Sequence, residues 1–506
     1  MTITTISDIL NNLNFQQEEV VYSSSRRLLC LAGAGTGKTH TIISKMLYST
    51  EVLKVDPRKI LALTFTNAAG KELESRFLKY SNSYEIPTFG TFHSFCYKVL
   101  SENYDIRKQL GYDQIPSILS EFEEKTFQTQ AQMLTNVKLP KYAYKLTYNP
   151  KPSEKFEFEI FQKTIDKLLR QQNKITFDRL CYRVCELFQN NDPLIQKYFL
   201  QYSYVYVDEF QDTDQLQWEF VKSFLDRSTI ILVGDVRQAI YQFRGSDSSI
   251  IKSISSDTSW SVIKLEQNYR STPQICDYAN MFSKAYRDDL PELKLVTQNE
   301  NGKNVEFITT STFLSKLSDY VTIKNCALIA RTNSEVKELA KLLDSEDIKY
   351  RTKSKLKFNH VAAFALDTKY KHDSLIAMLS EEERSNVLLK LYLNKPFDLD
   401  SYLYQKFTDI YEQIESIQDS DEFSQIKFLY DLGDLKLYDL VDNSTNFDTG
   451  LYVGTIHSVK GLEFDKVIIY GVNSKLFRIL SSEEMMNLYY VACTRAKFEL
   501  IVVQDS

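Results

Sequence analysis

The sequence has no apolar run long enough to cross a membrane, no internal repeat, no low-complexity tract and no proline- or glycine-rich linker. These absences exclude a membrane-helix bundle, a solenoid and a tethered array. Cysteine is scarce, with 7 in 506 residues. Only Cys181 and Cys185 stand close together, and no second pair or nearby histidine completes a metal site, so packing is the expected role for both. An odd cysteine count without a framework fits a reducing compartment. The opening "MTITTISDILNNLNF" has neither a basic nor an apolar segment of the kind a signal peptide needs, so a soluble cytoplasmic protein with no membrane association is expected. A basic excess is also missing, since the net charge is -6. Any grip on nucleic acid must therefore come from a local basic or stacking surface in a cleft.

What is present is an ordinary globular balance, 43% hydrophobic and 25% charged, in a chain long enough for two to four domains. Short runs that are apolar on both faces alternate with helical patterns: "LLCLA" (28–32), "ILALTF" (60–65), "YVYVDE" (204–209), "IILVGD" (230–235), "ALIAR" (327–331), "KVIIYGV" (466–472) and "FELIVV" (498–503). That alternation predicts α/β architecture with parallel sheets covered by helices, and ligands at the carboxyl ends of the strands. Two stretches, about 96–197 and about 356–446, are strand-poor and helical, which suggests inserted subdomains. "SEEERSNVLLKLYL" (380–393) reads as an amphipathic helix.

The chemistry begins at "AGAGTGKT", which follows a predicted strand and opens a helical run. Its glycines free backbone N–H groups for phosphate oxygens, and the helix N-terminus adds its dipole. Lys38 would reach the terminal phosphates and Thr39 would hold Mg²⁺. "YVYVDEFQD" supplies the second half of such a site. It places Asp208 as a metal-binding carboxylate, and Glu209 as the group that orients and deprotonates the attacking water. A site for hydrolysing a nucleoside triphosphate follows from these residues.

Further motifs occur in order over nearly the whole chain: "LNFQQEEVV", "TFTNAAGKELESR" (64–76), "GTFHSF" (90–95), "DEFQDTD", "VGDVRQAIYQFRGS" (233–246), "LEQNYRS" (265–271), "GTIHSVKGLEFDKVII" (454–469) and "LYYVACTRA" (488–496). In this set the chain resembles the superfamily 1 helicases of the UvrD/Rep/PcrA type. The leading Ala32 of the phosphate loop is itself a trait of that family. The resemblance implies two RecA-like P-loop NTPase domains with inserted helical subdomains. The first would span 1–95 and 196–265, with an insertion at 96–195; the second would span 266–355 and 446–506, with a reduced insertion at 356–445. It also implies that ATP and Mg²⁺ bind between the two domains.

The first domain would supply Gln17 as the reader of adenine, the loop Ala32, Gly33, Ala34, Gly35, Thr36, Gly37, Lys38 and Thr39, and Gln238 as the γ-phosphate sensor. Thr39 and Asp208 would be the metal ligands. His40 and Arg76 would lie against the nucleotide. From the second would come Tyr269 to stack on adenine, Glu463 to bond the ribose, and Arg270 and Arg495 as arginine fingers.

Phe65, Thr66, Asn67, Phe92, His93, Tyr241, Phe243, Arg244, Arg331, Asn333, Thr455 and His457 are expected to line a single-stranded DNA track. Phe65 and Phe92 read equally well as core residues.

The implied activity is an ATP-dependent 3′–5′ DNA helicase or translocase that acts on single strands and on duplexes with a 3′ overhang. The alternative is a DNA-activated ATPase sensor resembling the helicase-like subunit of Gabija-type antiphage defence, working with a nuclease partner. No nuclease cluster follows the motifs before Ser506. His40 replaces a common arginine. Arg237 replaces a common acid, and is expected either to add a cation near the cleft or to pair with Asp235 or Asp212.

Overall fold

The computed structural model describes residues 6–81, 83–119, 121–137, 151, 153–190, 192–241, 245–283, 292–321, 325–346, 348, 350–351, 371–372, 375–376, 379, 383–384, 387, 390, 398–407, 450–472 and 483–504. The chain divides into two compact units. One holds Met1–Pro116, Phe177–Ile348 and Thr455–Ser506, and the other holds Ser117–Thr176 and Lys349–Gly454.

The first unit contains two parallel sheets. The first is built from β1 (Arg27–Ala32), β2 (Ile60–Thr64), β3 (Thr88–Thr91), β4 (Tyr204–Val207), β5 (Thr229–Gly234) and β6 (Ser261–Leu265), in the spatial order β3-β2-β4-β5-β1-β6. Every neighbouring pair is parallel, with Leu31 opposite Gly234 and Ala62 opposite Tyr206 as register marks. Residues 28–32, 60–64 and 205–207 are buried without a break, which is why their sequence is continuously apolar rather than alternating. Leu28, Cys30 and Ala32 pack with Ile42, Met46, Leu73 and Phe77 beneath the covering helices Lys38–Leu47 and Asn67–Tyr80. The buried Leu, Ile, Met and Phe side chains each contribute ~1.5–3 kcal/mol.

Because every strand is parallel, the loops that follow β1, β2, β4 and β5 all emerge along one edge. Capping fixes how the next helices start. The Thr66 hydroxyl accepts from the Ala69 N–H after β2, and Thr91 and Ser94 form a reciprocal capping box after β3.

The second sheet contains β7 (Glu306–Thr309), β8 (Cys326–Ala330), β9 (Phe464–Val472) and β10 (Ala496–Gln504). These run parallel in the order β7-β10-β9-β8. The long helix Glu483–Cys493 leads straight into β10.

The other unit is helical where it is described. Helices Glu121–Thr135 and Lys155–Gln171 pack through Phe127, Ala131, Phe161, Ile165 and Leu169, beside a short parallel pair, Ser117–Ile118 with Lys174–Ile175. Tyr350–Arg351 pairs in parallel with Leu451–Tyr452, and Leu399–Lys406 forms a helix. Most of 356–445, including most of the helix expected at 380–393, lies outside the described residues. Cys181 and Cys185 are buried on helix Phe177–Gln189, and no described helix is long and apolar enough to cross a membrane.

Candidate active site

The loop after β1 reverses direction on two left-handed glycines, Gly35 (φ 70°) and Gly37 (φ 81°). A Cβ on Gly35 would stand 2.7 Å from Asn268 Nδ2 and 2.9 Å from Arg270 Cβ, so close approach also demands glycine there. Other residues hold the loop from several sides. Gln17 Nε2 donates to the Thr36 carbonyl at 3.1 Å, and Asn268 Nδ2 donates to the Ala34 carbonyl at 2.7 Å. The Ala34 N–H donates to the Tyr490 hydroxyl at 3.3 Å, and Thr36 Oγ1 donates to the Gly33 carbonyl at 2.8 Å.

Two expectations change here. Ala32 lies below the loop in the core cluster rather than in the cleft. Gln17 is only 2% exposed and commits both its amide oxygen (to the Asn14 N–H) and its amide nitrogen to protein, as burial of a polar group requires. In this arrangement it braces the loop. Asn14 Nδ2 also reaches the Tyr269 hydroxyl at 2.7 Å, which positions the half-exposed ring expected to stack on adenine.

A cavity of about 810 Å³ opens beside the loop. Ala34, Gly35, Gly37, Lys38, Thr39, His40, Arg76, Asp208, Glu209 and Gln238 line it, and so do Tyr269, Arg270, Glu463 and Arg495. Lys38 Nζ pairs with Glu209 Oε1 at 3.4 Å. Glu209 takes a left-handed backbone (φ 51°), a strained conformation for a residue with a Cβ and one that recurs at functional sites. Burial would push the Glu209 carboxyl up, but Lys38 and Lys460 outweigh it and hold the group below the ordinary carboxylate range. Asp208 goes the other way, since burial and the adjacent Glu209 charge both raise it. Two neighbouring acids are thus driven apart, one held ionised and the other short of positive charge.

The Asp208 carboxylate and the Thr39 hydroxyl are hard oxygen donors that both line the cavity, a donor chemistry that fits a small divalent cation. Among the described residues no group of three or more His, Cys, Asp or Glu forms a metal cage.

Arg270 Nε pairs with Glu463 Oε2 at 2.8 Å, and Lys497 takes the other oxygen at 2.7 Å. Arg495 differs. It is 2% exposed, and its guanidinium donates to the carbonyls of Val491 (3.0 Å) and Leu462 (3.3 Å) and to the Thr494 hydroxyl (3.0 Å). Among the described residues no carboxylate forms an ion pair with it. Burial and nearby Arg270 pull its pKa down to about 9, so it stays charged at neutral pH. A buried cation with neutral partners is a ready counter-charge for a polyphosphate.

Arg237 resolves as a partner of Asp235, with Nε to Oδ1 at 2.6 Å. Asp212 is taken by Lys460 instead. Lys460 was not singled out from the sequence, although it lies in "SVKGLEF". Its Nζ also donates to the Gln238 carbonyl at 2.8 Å and sits 4.7 Å from the centre of the Tyr241 ring. Burial pushes the Asp212 carboxyl up to about 6 against the pull of that lysine. Asn268 and Tyr490, the loop braces, were likewise missed because hydrogen-bonding partners far apart in sequence leave no local signal.

On the expected strand track, Phe65 and Tyr241 stack at 5.4 Å with planes 15° apart, and both are partly exposed. His457 donates through Nε2 to the Ile240 carbonyl at 3.2 Å, with its ring 6.2 Å from that of Tyr241. Thr66 and Asn67 are exposed next to this pair in sequence. The Thr455 hydroxyl accepts from the Ser458 N–H, and the partly buried His93 meets Phe177 edge-on at 5.1 Å. Arg331 and Asn333 are exposed past the end of β8.

Phe92 is a correction. It is 3% exposed and packs edge-on against Phe220 at 5.7 Å, so it is core, because it lies on the buried face of its helix with Phe95, Cys96 and Val99. Phe243 and Arg244 lie outside the described residues.

Residues 13–259 match the UvrD/REP helicase N-terminal domain, and residues 263–362 with 375–506 match the UvrD-like helicase C-terminal domain. A probable DNA helicase II homolog of Mycoplasma capricolum is 28% identical, covering 98% of this chain and 85% of the relative. Its counterpart in Mycoplasma genitalium is 27% identical over 97% and 84%. The ATP-dependent DNA helicase PcrA of Staphylococcus aureus is 24% identical over 98% and 83%.

Proposed function

The chain belongs to the UvrD-like helicase family and acts as an ATP-dependent DNA helicase; on that premise we propose that it moves 3′ to 5′ along single-stranded DNA. The observation that carries the reading is a single cavity that gathers Lys38, Glu209 and Gln238 from the first sheet's loops and Arg270 and Arg495 from the second half of the chain. The stacked Phe65–Tyr241 pair lies on its rim.

In this reading residues 1–95 and 196–265 form the first motor domain and 266–355 with 446–506 the second, with insertions at 96–195 and 356–445. The alignment with the M. capricolum relative runs over 621 positions, more than the 506 residues of this chain, so the relative carries segments absent here. We assign the loss to the 356–445 insertion.

The chemistry follows from the charges. A triphosphate entering the loop competes with Glu209 for Lys38 and frees that carboxylate, already held ionised, to accept a proton from the attacking water. Arg270 and Arg495 then neutralise charge on the transferred phosphoryl group. A magnesium ion held by Thr39 and Asp208 would supply further neutralisation of the phosphate oxygens. Lys460 spans the acid beside this centre and the ring that faces the strand, a direct physical link between hydrolysis and grip.

The test is ATP turnover with and without single-stranded DNA, together with strand separation of duplexes carrying a 3′ or a 5′ overhang, with Glu209→Gln as the inactive control. DNA-stimulated turnover with unwinding from the 3′ overhang alone supports the reading. Unwinding from the 5′ overhang overturns the direction. Stimulation without any unwinding turns it into a DNA-activated ATPase sensor.

A further inference from the structure

We propose that Arg237 is a positioning residue that fastens the sensor loop around Gln238 to the helix that leads into Arg495, so that the cleft is held ready for hydrolysis before DNA binds. The inference rests on the ATPase reading above.

Three elements meet at this one buried side chain. Within its own loop, Arg237 Nε bonds Asp235 Oδ1 at 2.6 Å, and the other oxygen of Asp235 accepts from Gln238 Nε2 at 3.0 Å. Arg237 thereby fixes the carboxylate that in turn fixes the sensor amide. Outside the loop, Arg237 Nη1 donates to the Leu293 carbonyl at 2.8 Å. The guanidinium also lies 5.3 Å from the centre of the Tyr490 ring, in the range for a cation–π contact. Tyr490 belongs to helix Glu483–Cys493, whose C-terminal end presents Arg495, and its hydroxyl accepts from the phosphate-loop Ala34 N–H. Asn487, one turn earlier on the same face, donates to the carbonyls of Val236 (3.1 Å) and Ala239 (2.9 Å), on either side of Arg237.

The helix therefore grips the sensor loop through the Asn487 amide, through a Tyr490 side-chain hydrogen bond to Asp235 and through the Tyr490 ring, and the ring contact exists only because residue 237 is a planar cation. An acid at this position could neither donate to the Leu293 carbonyl nor face the Tyr490 ring, and it would stand against the buried Asp235 carboxylate. A lysine could neutralise Asp235 but lacks the flat fork that bonds and stacks together. With sensor and finger already in register, closure needs little help from the strand, so basal turnover is high relative to the DNA-stimulated rate.

The experiment measures kcat and KM for ATP in wild type, Arg237→Lys and Arg237→Gln, without DNA and at saturating single-stranded DNA. We expect basal kcat to fall while the DNA-saturated kcat is largely retained. The stimulation ratio then rises at least about fivefold, the lower end of ordinary site-to-site coupling. A merely structural arginine would lower both rates together and leave the ratio unchanged, and either that result or no change overturns the proposal. If Arg237→Gln does not fold because Asp235 is left as a buried unpaired charge, Arg237→Lys keeps that charge neutralised and its ratio decides. Wild type without any ATP turnover would instead overturn the ATPase reading itself.

Discussion

The two sheets of the first unit are both parallel and both buried along their central strands, yet they serve the cleft from opposite edges. The first delivers its groups after strands, with the phosphate loop after β1, Phe65 after β2, Asp208 and Glu209 after β4, and Gln238 after β5. The second delivers Glu463 immediately before β9 and Arg495 immediately before β10, so the expectation of ligands at strand carboxyl ends holds for the first sheet only. Helix polarity accounts for the difference. Phosphate needs the free N–H groups at a helix start, which a β-to-α turn supplies at the carboxyl end of a strand. A cation is favoured at a helix end, where carbonyls point outward. Arg495 follows helix Glu483–Cys493 and bonds the Val491 carbonyl of its last turn. One sheet edge is built for anions and the other for cations, and the cleft lies where they face.

The largest expected effect breaks this pairing from the second sheet. Arg495→Ala should lower ATP turnover by ~10³–10⁵, the range for a missing arginine finger. The folded state should lose about 1–3 kcal/mol for each acceptor left unpaired at Val491, Leu462 and Thr494, but no buried carboxylate loses its partner. A loss in turnover below tenfold in the folded variant would mean that the second sheet does not act on the phosphoryl group. From the first sheet, Glu209→Gln should cost ~10²–10⁴ in turnover, the usual worth of a positioned base. ATP binding should be kept or even tightened, since Lys38 is freed from its ion pair.

Two aromatic residues at carboxyl ends of the first sheet test whether that edge also serves a strand of DNA. Phe92→Ala should destabilise the protein by ~3–5 kcal/mol, as for any large ring removed from a core, and shift DNA affinity only through unfolding. Tyr241→Ala should weaken single-stranded DNA binding by about 1–3 kcal/mol with Tm little changed, as a stacking platform would. Equal effects on binding from the two would remove the distinction between core and track.

How much of this was legible in the sequence varied with residue chemistry. Asp208 and Glu209 stood out because charge at the end of an apolar strand is costly without a purpose, and the strand itself was visible as an unbroken buried run. Gly35 and Gly37 were legible for a similar reason, since the turn admits no side chain. Phe65 and Phe92 could not be separated, because an aromatic ring suits a core and a stacking surface equally well and only exposure distinguishes them. Asn268, Tyr490 and Lys460 act through partners more than 200 residues away, and such contacts leave no local pattern. Arg237 was noticed for its charge, but its choice of Asp235 over Asp212 depends on where the second half of the chain places Leu293 and Tyr490.

The smallest expected effect concerns His40, on the anion-binding edge. Burial, and then Arg76, hold its pKa below the ordinary 6.5. Above pH 6.5 the imidazole is neutral in both the folded and unfolded chains, so it contributes no pH dependence to stability. Below that value the unfolded chain takes up the proton first. The folded protein is then destabilised progressively until the lower folded pKa is passed. A bound triphosphate reverses the local field, because its negative charge favours the imidazolium that burial opposes. Binding of a non-hydrolysable ATP analogue should therefore tighten as pH falls from about 8 to about 5.5, by less than the tenfold that one pKa unit represents. His40→Gln should reduce that tightening, leaving the part that Asp208 and Asp212 contribute in the same window, and leave affinity at pH 8 unchanged. If the two proteins show the same pH profile, the imidazole does not sense the phosphates, and the first sheet's anion edge ends at Thr39.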